Sequence, residues 1–156
     1  MIAVIATLLM SCCHQGKADS APKKEPIEVM MLIILATDKN KDVHERLGEI
    51  AAEIRKKDPA LTGFDLKKTY KNSIKIGETV QIDLVNKARA EVTINEKTDD
   101  AGRATITVKL PKLDEITYVC TCGKFFPIIT NYYTAEKQRL IIAIMAKPCK
   151  KKEVEK

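Results

Sequence analysis

The chain has 156 residues, with 27 Lys and Arg against 21 Asp and Glu for a formal charge of +6, and only 4% aromatic residues with no Trp. That length holds one domain with a real core once a leader and a tail are set aside, and it leaves little room for a second. The lysines are spread over predicted strands and turns, and so few rings supply no base-stacking platform, which argues against nucleic acid as a partner.

Residues 2–10 are apolar and lead directly into Ser11, Cys12 and Cys13. The run falls far short of the ~20 residues needed to cross a bilayer and reads as the core of an export signal. Leu9-Met10-Ser11-Cys12 resembles a bacterial lipobox, with an aliphatic residue three before the cysteine and a small one just before it. It departs from that pattern in Met10 and in having no Lys or Arg ahead of the apolar run. The resemblance implies a signal peptide over 1–11, lipidation of Cys12 and a membrane partner held through that lipid. No Asp follows Cys12, which in such lipoproteins implies the outer membrane, facing the periplasm or the cell surface. Residues 12–26 are polar and Pro-bearing with nothing to bury, and so form a flexible tether.

Residues 29–36 (Val-Met-Met-Leu-Ile-Ile-Leu-Ala) are uniformly apolar. A strand without polar alternation is covered on both faces, so this one belongs in the middle of a sheet. A polar turn then leads to a helix over 43–57, where Val43, Leu47, Ile50, Ala51 and Ile54 fall on one stripe. Asp42 is placed to cap it with Glu45 three residues on, basic residues 55–57 suit its C-terminal end, and Asp58-Pro59 stops it.

The rest of the chain reads as β. Phe64, Leu66 and Tyr70 mark an edge strand, and Ile74, Ile76, Val80, Ile82 and Leu84 continue the alternation across a bulge or tight turn at Gly77-Glu78. Alternation over 88–94 and 104–110, with a turn at 98–102, predicts a hairpin that Pro111 ends. A strand over 116–122 then turns at Gly123-Lys124 in hairpin fashion into 125–133, where Pro127 marks an edge or bulge. After a turn at 134–138, the apolar run 140–146 is expected beside the first strand, and 150–156 forms a charged tail. The expected fold is therefore α+β, a single domain over 27–149 in which one amphipathic helix packs on a mostly antiparallel sheet. By this overall pattern, from Val29 to Met145, the chain resembles small, uncharacterised exported bacterial proteins and lipoproteins. That resemblance implies an envelope location and carries no activity or site residues.

The cysteines are the main candidates for chemistry. Cys120, Cys122 and Cys149 would meet an oxidising compartment after export. Cys120 and Cys122 share a strand face and compete for one partner. A Cys122–Cys149 disulfide is favoured, with Cys120 as the alternative partner, and closing that loop stabilises by ~3–4 kcal/mol. The sharper reading is a soft-metal or redox site built from Cys120, Cys122 and Cys149. His44 reads as a solvated residue in the helix's first turn. Ser73 lacks a nucleophile elbow, Asp99 and Asp100 belong to a hairpin turn, and no phosphate-binding glycine fingerprint occurs. The residues thus predict no enzyme and no cofactor. They predict an exported, lipid-anchored binding or structural protein with an envelope protein partner, the alternative being a thiol-based metal-binding or redox protein.

Overall fold

The computed structural model describes residues 26–97, 103–121 and 123–148. Along them run β1 (Ile27–Thr37), a 3-10 turn (Glu45–Leu47), α1 (Gly48–Lys57), β2 (Gly63–Ile74), β3 (Thr79–Asp83) and β4 (Arg89–Lys97). There follow β5 (Ala104–Leu110), β6 (Leu113–Cys120), β7 (Phe126–Tyr133) and β8 (Arg139–Pro148). The strands form two four-stranded antiparallel sheets, ordered β2-β1-β8-β7 and β3-β4-β5-β6, so the described chain is mostly β with one short α-helix.

The apolar run of β1 is explained by what lies on each side of it. Val29, Met31, Ile33 and Leu35 join Ile142 and Ile144 of β8, Val92 and Ile94 of β4, and Ile106 and Val108 of β5 in one buried cluster between the sheets. The alternate residues Leu32, Ile34 and Ala36 share a second buried cluster with Ile141, Ala143, Leu47, Ile50, Ala51 and Ile54. Successive strand side chains point to opposite faces, so a strand buried on both must be apolar throughout. Each such Leu or Ile contributes about 1.5–3 kcal/mol on burial. The register Ile33↔Ile142 and Ile34↔Ile141 puts the two apolar runs side by side, as expected of 140–146.

The helix begins later than its stripe predicts. Residues 42–44 are recruited by β2: the Phe64 N–H donates to the Asp42 carbonyl at 2.8 Å and the His44 N–H donates to the Phe64 carbonyl at 3.0 Å, making a parallel bridge at Val43. Asp42 therefore does not cap. His44 does, its Nδ1 accepting the Arg46 N–H at 3.2 Å at the start of the 3-10 turn. Leu47, Ile50, Ala51 and Ile54 are buried as the stripe requires, and the Asp58 N–H closes the helix on the Ile54 carbonyl.

Two connections pass between sheets, which alternation alone does not reveal. The first is the tight turn after β2, where the Glu78 N–H donates to the Lys75 carbonyl at 3.0 Å and Gly77 has φ +86°, a conformation that favours glycine. The second corrects the expected hairpin at Gly123-Lys124. β6 pairs only with β5, whereas β7 pairs with β8 in the other sheet. The Thr121–Lys124 turn thus carries the chain across, and Tyr118 and Phe126 stack with centroids 4.5 Å apart. The β4–β5 hairpin forms as predicted, with Val92↔Val108 and Ile94↔Ile106 paired; its turn lies outside the described residues. β6 starts earlier than expected because Pro111 and Lys112 make a turn, Lys112 having φ +55°.

The outer face of the second sheet is polar. Thr79, Thr93, Thr107 and Thr117 stand in one row across its four strands. Their hydroxyls meet in pairs at 2.7 Å, Thr79 with Thr93 and Thr107 with Thr117. Such cross-strand pairs stabilise a solvent-facing sheet.

Candidate functional site

A hollow with polar walls lies where β1 ends. Three side chains shape the loop after it. Thr37 Oγ1 accepts the Lys39 N–H at 3.2 Å, Asn40 Oδ1 accepts the Asp42 N–H at 3.1 Å, and the Thr62 hydroxyl donates to the Asn40 carbonyl. This folds 38–44 round the start of β2. Gly63 suits this close approach, because a Cβ would collide with the Asn40 side-chain oxygen and come within 2.8 Å of Thr37 Cγ2, so that these side chains would have to shift. The result is a hollow of about 370 Å³ with Leu35 and Phe64 among its walls and Asn40, Asp42, His44, Asp65 and Gln138 as its polar groups.

These groups can hydrogen-bond a small polar molecule, yet they do not form a catalytic pair. His44 spends Nδ1 on the Arg46 N–H, and Asp65 Oδ2 lies 2.5 Å from Lys67 Nζ. An Nδ1 that accepts leaves the hydrogen of the neutral ring on Nε2, so the remaining nitrogen is a donor and not a base. Among the described residues, no group of three or more His, Cys, Asp or Glu is arranged to hold a metal ion. Nor is any helix there long and apolar enough to cross a membrane.

Of the predicted cysteine site, the described residues include Cys120 alone; Cys12, Cys122 and Cys149 lie outside them. Cys120 is a free, buried thiol facing the space between the sheets. Burial pushes its pKa up, an effect partly offset by the Tyr118 hydroxyl and the Ala146 backbone. A thiol held protonated is a poor nucleophile and a poor soft-metal ligand. Tyr118 is the neighbour that sequence reasoning missed. Its hydroxyl is buried without a well-formed hydrogen bond, and the group it meets is the Cys120 thiol, a weak donor and acceptor. Burial first, and Cys120 second, push the phenol well above its ordinary range. The two-residue spacing puts Tyr118 and Cys120 on one face of β6, a signal present in the sequence.

Gln138 and Asn40 were also missed, since nothing local marks an amide in a turn as part of a hollow formed by chain segments distant in sequence. Compared with family models, curated proteins and solved structures, the chain finds no match.

Proposed function

We propose that the protein is exported and lipid-anchored through Cys12 at the outer membrane, and that it serves as a binding or structural module of the cell envelope. In this reading α1 is seated on the outer face of the first sheet, and the domain meets an envelope protein partner. The observation that carries the proposal is the leader, an apolar run ending in Ser11-Cys12 and followed by a polar stretch up to the first strand at Ile27. The chemistry of the hollow supports binding over catalysis, because the ring nitrogen of His44 that can accept a proton, Nδ1, is taken up in capping a turn.

Cys12→Ala tests the anchor: the mature protein should move from the membrane to the soluble fraction, and a variant that still sediments with membranes would remove the lipoprotein reading. The disulfide Cys122–Cys149 belongs to the same proposal. It is supported by the approach of the two chain segments, the N–H of Gly123, next to Cys122, donating at 3.4 Å to the carbonyl of Ala146, three residues before Cys149. Non-reducing mass mapping should find the two cysteines joined. Three reduced thiols released only by a chelator would favour the metal-binding alternative instead.

A further inference from the structure

We infer that the groove between α1 and the segment entering β7 is a self-association surface whose occupant is a second copy of this chain, related by a two-fold axis. The groove has a volume of about 690 Å³ and an apolar centre made by Ile50, Phe125, Phe126 and Pro127. Phe126 is 41% exposed, although its ring is already held by stacking on Tyr118. A large ring that is both exposed and fixed is a ready anchor for a partner.

The rim decides which partner. Glu49, Glu53 and Lys57 follow one another at intervals of four and so form a line along one flank of the helix, all exposed. Lys57 Nζ lies 5.2 Å from the centre of the Phe126 ring, and Lys124 lines the same groove. The line is acidic at one end and basic at the other. An anionic surface would meet Glu49 and Glu53, and a cationic one would meet Lys57 and Lys124. A second copy turned by a two-fold rotation lays the flanks antiparallel, so that Glu49 of each copy faces Lys57 of the other. The axis then passes near Ala52 and Glu53, where the small alanine permits close approach. Glu53, which would lie near its own copy there, is paired with Lys56, whose Nζ is 2.6 Å from Oε1.

The test is sedimentation equilibrium on the full chain carrying Cys12→Ala, so that lipid does not drive association. A monomer–dimer equilibrium is expected. Lys57→Glu and Glu49→Lys should each weaken it roughly tenfold, since each change turns two symmetric attractions into repulsions. Combining Glu49→Lys with Lys57→Glu exchanges the charges at the two ends of the line and should restore the affinity. Phe126→Ser should weaken association as well. A monomer at every concentration, masses beyond a dimer, or a double reversal no better than the single changes would each overturn the inference. Melting curves accompany every variant; if Phe126→Ser melts early, the charge reversal at two exposed positions decides alone.

Discussion

Arg139 Nη1 lies 2.7 Å from Asp58 Oδ2, and this ion pair ties the first residue of β8 to the residue that closes α1, 81 positions earlier in the chain. The guanidinium also donates from Nε to the Thr130 carbonyl at 2.7 Å and from Nη2 to Asn131 Oδ1 at 3.2 Å. With the two side chains only 19% and 26% exposed, solvent screens the pair less than it would at an open surface. Asp58→Ala should therefore cost about 1–3 kcal/mol, since it leaves a partly sheltered cation without its carboxylate. A urea midpoint unchanged by this substitution would rank the pair with ordinary surface contacts.

The helix stripe makes a sharper contrast. Leu47 and Ile54 are fully buried, whereas Glu49 is exposed. Leu47→Asp or Ile54→Asp places a charge in an apolar cluster without a partner and should unfold the protein. Glu49→Gln should leave the far-ultraviolet circular dichroism and, at a concentration low enough to keep the chain monomeric, the urea curve as they are. Similar denaturation of all three variants would mean that the buried stripe has been wrongly identified.

Gly63→Ala should destabilise the loop around the polar hollow by about 1–3 kcal/mol, as overpacking does in a tight site. The added methyl collides with the Asn40 side chain, which must then give up its bond to the Asp42 N–H. Asn40→Ala removes the nearer of the two obstacles and leaves Thr37 Cγ2, so the double variant should lose less stability than the sum of the single ones. Strict additivity in a double-mutant cycle would refute this account of the glycine.

Buried Cys120 and Tyr118 set an alkaline limit on stability. Both groups have pKa values raised in the folded protein, so folding disfavours their anions. Below the unfolded thiol's value of about 8.5 both states are protonated and stability is at its full level. Above it the unfolded chain loses its proton first, and stability falls as the pH climbs toward the folded value. Cys120→Ala should lessen the fall in urea midpoint that begins near pH 8.5, and Tyr118→Phe the fall that begins near pH 10, by about the same logic. At neutral pH Tyr118→Phe should be neutral or stabilising, because it deletes a buried hydroxyl that lacks a good partner. Alkaline slopes identical in all three proteins would contradict the linkage.

Much of this fold is legible in local pattern. The unbroken apolar runs at 29–36 and 140–146 mark strands buried on both faces, and the two do lie side by side. The spacing of Leu47, Ile50, Ala51 and Ile54 marks a buried helical stripe, and the alternation over 88–94 and 104–110 marks a hairpin. In each case the signal is the periodicity with which a regular backbone presents side chains to one face, which a stretch of sequence carries by itself. The tertiary structure decided what covers each face. Alternation is the same whichever sheet a strand joins, so the crossings at Gly77 and at Thr121–Lys124, which make two sheets out of one expected, show in the sequence only as turns and not as changes of sheet. The cap passes from Asp42 to His44 because β2 takes the backbone on either side of Val43 for its own edge. The hollow of Asn40, His44, Asp65 and Gln138 and the Asp58–Arg139 bridge arise in the same way. Each joins polar groups that meet only when separate elements pack, and a polar residue in sequence does not carry the identity of the group that packing will set beside it.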